Sequence, residues 1–530
     1  MRNKARAERP VPLRSWIAVI GGVFGCFMAG MNVHVTNASL PDIEGSLGAS
    51  FDEGSWITTA YLVAEIVIIP LTAWLAEVFS IRRVLIAGTV GFLAFSVCCS
   101  LAPTIGTMIA ARALQGAAGG VLIPLSFQLI VTELPPSKHP VGMALFAIAN
   151  NVAQAAGPTI GGWLTDAYSW RWIFYLQIPP GLLLLGAIAW SIDPKPMRTD
   201  ELRRGDWGGI IAMAVGLSAL QIVLEEGGRK DWFASGFIVY ASAVAGAGLI
   251  AFVAIELCRS RPFIDLRLLA RANFGLASLV QFTFGAAIFG VVFLVPNYFS
   301  QLHGYNARET GLVMIPYGAV QLVMSFLTPM LMRRLGARPT VVLGFAFVAA
   351  GCFMSTGLDA NSASNVIVPS LVVRGIGQSL VVVALSVMSV AGLERHQLGS
   401  ASGLFSMVRN LGGAIGIAII SQIVVEREKL HAMRLGENVS LYLPETQEWI
   451  IDGVRAVSGA QVDRTDALLG AGALPARMQA IGLIDGEIHR QALFMAYGDA
   501  FLVAAITLVA CGAVAVFLRQ GRAVAAGGGH

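Results

Sequence analysis

Charged residues are scarce in this chain of 530 residues. Asp, Glu, Lys and Arg make up 13% of it and hydrophobic residues 56%, whereas soluble domains carry about 25% charge. This composition excludes an ordinary soluble domain and predicts a membrane protein. Cysteine is also rare, and all six cysteines fall in or at the ends of apolar runs, so we predict no structural disulfide.

Several signatures of other functional classes are missing. None of the five lysines follows a glycine, so the chain has no Gly-Lys-Ser/Thr phosphate loop and an ATP-driven pump is excluded. The seven histidines are isolated from one another, which predicts no metal site and disfavours a membrane-embedded enzyme. A channel or receptor is a weaker alternative. No cofactor is predicted, and energy for transport would have to come from an ion gradient.

Fourteen apolar runs are each long enough to cross the roughly 30 Å hydrocarbon core, which needs about 20 residues of helix. We therefore predict an all-α polytopic membrane protein in contact with the lipid bilayer. The predicted spans are 16–37, 55–76, 84–102, 106–131, 141–164, 172–192, 207–226, 236–258, 274–300, 310–331, 340–358, 366–391, 400–424 and 494–518.

The basic residues of the short loops predict the topology. Fifteen Lys and Arg residues lie in short loops on one side and four on the other, which by the positive-inside rule puts both termini in the cytoplasm. The formal net charge of +4 is then a signal of topology, and no nucleic-acid partner is predicted. The segment 425–493 is predicted to be a long periplasmic loop, either a lid or a surface that docks a partner.

The order of the runs is six, two and six, and the outer sets share local similarities. Matching segments recur in the same order at offsets of 256, 262 and 259 residues: 75–83 with 331–339, 112–116 with 374–378, and 145–151 with 404–410. Chance similarity is the alternative, but the shared order favours duplicated halves. We predict a six-helix half at 1–195, two additional helices with cytoplasmic linkers at 196–272, and a second six-helix half at 273–530.

Ionisable residues inside the spans are few and are candidate functional sites, because a charge near the bilayer centre is costly. Arg112, Arg374 and Arg409 are the basic residues within spans, and Glu65 is the deep acid. Glu65 lies about ten residues into its span, or roughly 15 Å. We predict that Glu65 carries the transported proton with Arg112 nearby, that His34 assists, and that Arg374 is structural. The alternative is that Glu65 forms a static ion pair or a hydrogen bond to helix backbone.

The turn after the second span resembles a known signature. Residues 73–83 read Ala-Trp-Leu-Ala-Glu-Val-Phe-Ser-Ile-Arg-Arg, with Glu77 as the acid and Arg82 and Arg83 as the basic pair. The loop signature G-x-L-A-D-R-x-G-R-K of the major facilitator superfamily is similar, although Ser80 replaces one of its glycines. The resemblance implies a charge latch in which Glu77 pairs with Arg82 or Arg83, or accepts from a helix terminus.

Two further motifs resemble this superfamily. Arg112 precedes Gln115-Gly116 in the fourth span, and the fifth span matches the antiporter signature G-x-x-x-G-P-x-x-G-G except at its first glycine, through Gly157, Pro158, Gly161 and Gly162. The proline bends a helix and the glycines allow close helix contact. The first span departs from the family pattern, because Asn32 stands where an Asp is usual.

The chain as a whole resembles the fourteen-span drug:proton antiporters of that superfamily, the EmrB/QacA type. The resemblance implies the major facilitator fold and proton-coupled export of small lipophilic compounds across a bacterial inner membrane. Export of a specific metabolite, such as a siderophore or a fatty acid, is the alternative. It also implies, for the EmrB type, a periplasmic adaptor of the membrane-fusion type and an outer-membrane channel as partners. The candidate cavity residues are Asn32, Tyr61, Gln115, Asn151, Gln154 and Arg409.

Overall fold

The structure is a computed structural model that describes residues 11–135, 138–198, 205–259, 263–305, 307–359, 362, 364–389, 393, 397–437, 439–440, 442–458 and 474–518. The regular structure in these ranges is helical and includes no strand. Twelve of the described helices are long and apolar enough to cross a membrane, and Val141–Asn150 and Ala337–Phe353 are two shorter apolar stretches. Together they correspond to the fourteen predicted spans, which confirms the prediction of an all-α polytopic membrane protein.

The first six spans are made by nine helices. The fourth span consists of two consecutive helices, α5 and α6, and the sixth consists of a short α8 followed by α9. We call this group the first set: α1 (Leu13–Ala38), α2 (Leu40–Leu47), α3 (Phe51–Phe79), α4 (Ile81–Ser100), α5 (Ile105–Gly119), α6 (Leu122–Glu133), α7 (His139–Ala167), α8 (Trp172–Tyr175) and α9 (Ile178–Ser191).

The remaining helices form an extra pair and a second set. The extra pair is α10 (Trp207–Glu226) and α11 (Gly236–Cys258). The second set is α12 (Ala272–His303), α13 (Ala307–Leu335), α14 (Ala337–Phe353), α15 (Ser364–Ser389), α16 (Leu398–Glu437), α17 (Pro444–Ser458) and α18 (Leu474–Ala515).

Helix packing follows the same scheme in both sets. In the first set α1 packs on α7 and α9, α3 on α5, and α4 on α5 and α9. In the second set α12 packs on α16 and α18, α13 on α15, and α14 on α15 and α18. Each pairing in one set therefore has a counterpart in the other, in the same chain order. The two sets contact each other through α3 with α16 and α7 with α13.

The two sets meet in an apolar layer that extends from the middle of the bundle toward one end. We call this end the termini side, because it holds the start of α1 and the α3–α4 turn. Ile66 and Ile69 of α3 share a buried cluster with Leu404 of α16. The ring of Phe127 in α6 lies 6.3 Å from that of Phe405 in α16. Buried apolar contact therefore joins the two sets toward the termini side. The opposite end is the far side.

The extra pair contacts both sets at the far side. Helix α10 packs against α3, where Ser55 and Thr59 donate hydrogen bonds to the buried Glu226 carboxylate at 3.1 and 3.4 Å. Trp232, between the two extra helices, donates from Nε1 to Gln422 of α16 at 2.6 Å. The extra pair is thus hydrogen-bonded to the first set through Glu226 and to the second set through Trp232.

The segment 425–493, expected to be a loop, is mostly helical in its described residues. Helix α16 continues to Glu437, α17 follows, and α18 already begins at Leu474. Apolar residues of α17 pack on Ala480 of α18 and form a small separate core. The apolar run ends near residue 424, but most of the residues that follow are strong helix formers. Residues 426–435 read Glu-Arg-Glu-Lys-Leu-His-Ala-Met-Arg-Leu. The helix therefore extends beyond the apolar span.

Candidate functional site

Glu65 is the middle residue of the 29 in α3. The helix begins with a capping box, in which Ser50 Oγ accepts from the backbone N–H of Glu53 at 3.3 Å and the Glu53 carboxylate accepts from the N–H of Ser50 at 3.0 Å. Pro70 lies inside the same helix and supplies no backbone donor to the carbonyl of Ile66, next to Glu65. The Glu65 side chain is 8% exposed, so the carboxyl is held deep in the helix bundle.

Arg112 is fully buried on α5 and is bound by neutral oxygens. Its Nη1 donates to Asn32 Oδ1 at 2.6 Å and to Gln115 Oε1 at 2.7 Å, and its Nε donates to the carbonyl of Ile57 at 3.2 Å. The guanidinium lies 4.3 Å from the centre of the Tyr61 ring. The structure therefore brings together four of the predicted site residues, Asn32, Tyr61, Arg112 and Gln115, in one polar cluster.

This cluster leaves donors unused. Arg112 Nη2, Gln115 Nε2 and Tyr61 Oη are buried and have no hydrogen-bond partner. Buried polar groups are normally satisfied by protein, water or ligand. A buried cluster with three free polar atoms is therefore suited to hold a small polar group or water.

Arg409 approaches Glu65 from the second set. Arg409 lies on α16, and its Nε is buried without a hydrogen-bond partner. Glu65 is within electrostatic range of both Arg112 and Arg409, yet no ion pair of 4.0 Å or less joins it to a cation in the described parts of the chain. The static ion pair considered from the sequence is therefore not seen there. Glu65 instead faces one cation on its own set and one on the other.

His34 lies in a different place, at the contact of α1 with α7. A Cβ built on Gly157 would stand 2.5 Å from the His34 Cβ, and one on Gly161 would stand 2.9 Å from the Val35 carbonyl. The two glycines thus allow α7 to lie directly against α1. Asn32 points to Arg112 instead, as expected for residues two positions apart on a helix.

The predicted cavity residues Asn151 and Gln154 also lie on α7, but their side chains lie outside the part of the chain that the structure describes. Pro158 and Gly162 are in the same helix, which runs on without interruption to Ala167.

The charges of the α3–α4 turn are paired differently from the predicted latch. Glu77 Oε1 lies 3.4 Å from Nη1 of Arg198, and both side chains are more than 60% exposed. Arg82 donates to the carbonyl of Ile192 at the end of α9 at 2.7 Å, and Arg83 Nη1 is buried without a hydrogen-bond partner. Arg82 and Arg83 open α4, and Arg82 satisfies the free carbonyl that follows α9, so Glu77 pairs with Arg198.

The second set holds a counterpart of the Glu65 position that sequence reasoning missed. Tyr317 and Gln321 stand 256 residues after Tyr61 and Glu65, the same offset as the repeated turn. Gln321 is fully buried and lies beside Tyr317. The carboxyl of the first set is thus an amide in the second. The repeated Tyr-x-x-x-Glu/Gln pattern at a known offset was a signal that could have found it.

The structure also corrects the alignment of Arg374 with Arg112. Gly116 packs on the Tyr61 carbonyl, and a Cβ on Gly375 would stand 3.0 Å from the carbonyl of Tyr317. Those two glycines are 259 residues apart, so Arg374 corresponds to Gln115 and not to Arg112. The offset of 262 residues was wrong because it aligned two arginines one helical turn apart.

Arg374 is surrounded by neutral groups. Its Nη2 donates to Ser370 Oγ at 2.8 Å and to Ser355 Oγ at 3.4 Å, and its Nε donates to the Ser370 carbonyl at 3.3 Å. The guanidinium lies 5.0 Å from the centre of the Phe501 ring. These contacts join α14, α15 and α18 and suit a structural role.

The chain is similar to known proteins in sequence and in fold. A family model described as Major Facilitator Superfamily matches residues 22–417. The Multidrug export protein EmrB of Haemophilus influenzae is 31% identical over 427 residues, covering 80% of this chain and 83% of that protein. The Fatty acid resistance protein FarB of Neisseria gonorrhoeae is 29% identical over 518 residues, covering 97% of this chain and 98% of FarB.

Among solved structures, the human organic anion transporter MFSD10 (TETRAN) has the same fold, with a TM-score of 0.57 at 14% identity over 94% of this chain and 100% of that one. The all-helical fold and its apolar spans agree with these matches. The chain is a multi-pass membrane protein that belongs to the major facilitator superfamily and, within it, to the EmrB type of transporter.

Proposed function

We propose that this protein is a secondary active exporter that exchanges protons for lipophilic or amphiphilic compounds by alternating access. The name of the Haemophilus relative and the absence of a phosphate loop support this reading. We place it in a bacterial inner membrane with both termini in the cytoplasm, on the strength of the basic short loops. The two moving bodies would be 1–195 and 273–530, with 196–272 between them.

The observation that carries the proposal is Glu65. It is a buried carboxyl at the centre of α3, with Arg112 on its own set, Arg409 on the other set, and no direct partner among the described cations. A carboxyl held by a strong ion pair would be costly to discharge. A carboxyl with two cations at longer range can gain or lose a proton without first breaking such a pair.

Coupling follows from the position of the two arginines. Arg112 moves with Glu65, because both belong to the first set, whereas Arg409 belongs to the second. Rocking of one set against the other changes the distance between Arg409 and Glu65, and with it the electrostatic support for the ionised carboxylate. A proton and a bound substrate would then occupy the Glu65 site in alternation.

The other predicted residues have supporting roles in this proposal. Asn32, Tyr61, Gln115 and Arg409 would line the cavity together with Asn151 and Gln154, and His34 would assist at the rim. The turn at Glu77, Arg82 and Arg83 would act as the conformational latch, in which Arg198 takes part. Helix α7 would move against α1 with the help of its residues Gly157, Pro158, Gly161 and Gly162.

Proton release in inverted membrane vesicles tests the proposal. Addition of the lipophilic cation tetraphenylphosphonium should release protons from vesicles holding the wild-type protein, and Glu65→Gln should abolish the release, because the amide cannot carry a proton. Asp166→Asn, at an exposed position on α7, is the matched control and should release protons as the wild type does. Undiminished release by a folded Glu65→Gln protein would exclude Glu65 as the proton carrier.

A second candidate function is export of an amphiphilic anion such as a fatty acid. The site holds two guanidinium groups and one carboxyl, so it stays positive with Glu65 ionised, which suits a carboxylate headgroup better than a cation. The name of the Neisseria relative points the same way. The same vesicle assay run with oleate decides between the two. Proton release with oleate but not with tetraphenylphosphonium would favour the anion, and a response to neither would direct attention to a specific metabolite such as a siderophore.

A periplasmic adaptor of the membrane-fusion type and an outer-membrane channel remain proposed partners. The observation that favours an adaptor is the helical layer of α16, α17 and α18, which projects beyond the spans on the far side and has its own small core.

A further inference from the structure

A second buried acidic site lies in the extra pair, away from Glu65. Asp206 precedes α10 and Glu256 is near the end of α11, and the two side chains are 3% and 1% exposed. A Cβ on Gly209 would stand 2.8 Å from Glu256 Oε1 and 3.0 Å from Asp206 Oδ2. The two carboxyls therefore face the same small space, which stays open because residue 209 has no side chain.

The two carboxyls are held in different ways. Asp206 caps α10, since its Oδ1 accepts from the N–H of Gly209 at 3.0 Å, and its Oδ2 lies 3.7 Å from Nε of Arg259. Both features stabilise a negative charge on Asp206. Neither oxygen of Glu256 has a hydrogen bond of normal geometry, although both are buried, and only the backbone of Ile264 offers it a weaker one. Glu256 is thus a poorly held carboxyl that faces the negative charge of Asp206.

The surrounding charges do not balance two carboxylates. The described ionisable groups that act on Glu256 are Asp206, Arg259 and Asp265. Arg259 is half exposed and already lies next to Asp206, while Asp265 adds a further negative charge. A second buried negative charge beside Asp206 would be repelled and poorly solvated. One more positive charge is needed, and a proton is the cation that fits between two side chains without further ligands.

We propose that Glu256 is a second proton-binding site, which holds one proton in this conformation beside the ionised Asp206. The site is independent of the role assigned to Glu65.

The site lies where the extra pair joins the second set. Ile264 and Leu268, which follow α11, share a buried cluster with Leu404 of α16. The backbone N–H of Asp265 donates to Ser400 Oγ at 3.1 Å, and Ser400 is in the first turn of α16. Ile264 also approaches Glu256 through its backbone, so the segment beside Glu256 is attached to a helix of the second set. Movement of α16 would uncover Glu256 and allow its proton to exchange, which gives the extra pair a way to respond to the transport cycle.

Infrared spectroscopy of the purified full-length protein in lipid tests this directly, because a protonated carboxyl absorbs apart from a carboxylate. At neutral pH the wild type should show a protonated-carboxyl band, and Glu256→Gln should lose part of it. Glu77→Gln, which removes an exposed carboxylate, is the matched control and should leave the band unchanged. Equal bands in the wild type and a folded Glu256→Gln protein would overturn the proposal.

A second variant tests the proposal without changing Glu256 itself, so its result does not depend on whether Glu256→Gln folds. Asp206→Asn retains an N-cap acceptor but removes the neighbouring charge, so Glu256 should ionise more readily and the band should disappear at a lower pH than in the wild type. An unchanged titration would contradict the coupling of the two side chains. The series is repeated with Na⁺ and with Mg²⁺ added. Loss of the band on adding either cation, with a higher melting temperature in the wild type only, would identify a metal ion as the ligand and overturn the proton assignment.

Discussion

Two buried arginines of this protein have similar burial but different surroundings. Arg112 and Arg374 are almost completely buried, and each lies against an aromatic ring. They differ in what lies beyond their hydrogen bonds. Arg112 acts on a buried carboxyl, Glu65, whereas the groups that act on Arg374 are Cys352 and Tyr317. Burial of a charge therefore marks a candidate, and the carboxyl beside Arg112 separates its proposed transport role from the structural role of Arg374.

We predict that Arg374→Met lowers stability but leaves proton coupling intact in the protein that remains folded. The variant loses hydrogen bonds to Ser355 and Ser370, and each hydrogen bond to a charged group contributes about 1.5–3 kcal/mol. The measurements are the melting temperature in lipid and substrate-driven proton release per folded molecule. Arg112→Met, by comparison, should lower both. Loss of proton release in well-folded Arg374→Met protein would show that Arg374 takes part in coupling.

At the scale of the residue, the sequence identified candidate site residues by their unusual charge within a span. It could not predict contacts that depend on how the helices pack. The rarity of charge within spans was enough to select Glu65 and Arg112. It could not give the partner of Glu77, because Arg198 lies 121 residues away in the chain. Nor could it give the Asn32–Arg112 hydrogen bond, since that contact depends on how α1 and α5 pack.

Among the elements, the turn between α3 and α4 is strained. Ser80 adopts φ 79° and ψ 146°, and Gly336 adopts nearly the same angles, φ 91° and ψ 161°, at the equivalent turn between α13 and α14. This backbone conformation is open to glycine and costly for a residue with a Cβ. Ser80 is also buried, and its hydroxyl has no hydrogen-bond partner. The first set thus has the same turn conformation as the second, but with a serine where the second set has a glycine.

We therefore predict that Ser80→Gly stabilises the protein. A non-glycine residue in such a region costs about 1–3 kcal/mol, and the change also removes a buried unpaired hydroxyl. The melting temperature should rise for Ser80→Gly. The reverse change in the other set, Gly336→Ser, is the matched control and should lower it by a similar amount. A lower melting temperature for Ser80→Gly would mean that the serine side chain stabilises this turn in some other way.

Element ends were predicted less well than element positions. The second span was expected at 55–76 and α3 extends from Phe51 to Phe79, because caps and turns rather than hydropathy end a helix. The largest differences are at α18, expected to begin near 494 and observed to begin at Leu474, and at α16, expected to end near 424 and observed to end at Glu437. A hydropathy pattern reports where lipid contact ends, and the hydrogen-bonded helix continues wherever the following residues favour it.

At the scale of the whole molecule, the sequence indicated that the two sets are related. It did not give the correct correspondence between their residues throughout. Repeated turns at 75–83 and 331–339 indicated two related sets, and the matching helix pairings agree with that. The offset of Arg374 was misjudged because apolar helices offer few distinctive residues for alignment. Packing resolved it, since Gly116 and Gly375 meet the same carbonyl of their respective neighbours. Side chains that contact one another across helices carry information that spacing along one helix does not.

At the scale of the whole molecule, the two sets are in apolar contact on the termini side, and this contact leads to the last prediction. Phe127 in the first set lies 6.3 Å from Phe405 in the second and 6.1 Å from Phe146 in its own set. Alternating access requires the first distance to increase during transport and leaves the second unchanged. A cleavable cross-linker joining Phe127→Cys and Phe405→Cys should therefore stop substrate-driven proton release, and cleavage of the link should restore it.

A link between Phe127→Cys and Phe146→Cys, made in the same background, is the matched control for that experiment. The exposed Cys98 and Cys258 are first replaced by serine so that the reagent has no other ready target. The control protein should transport as before, because both of its linked positions belong to one moving body. If the link between the two sets left transport unaffected, the termini side would not open in the cycle. Inhibition by both links would show instead that movement within the first set is required.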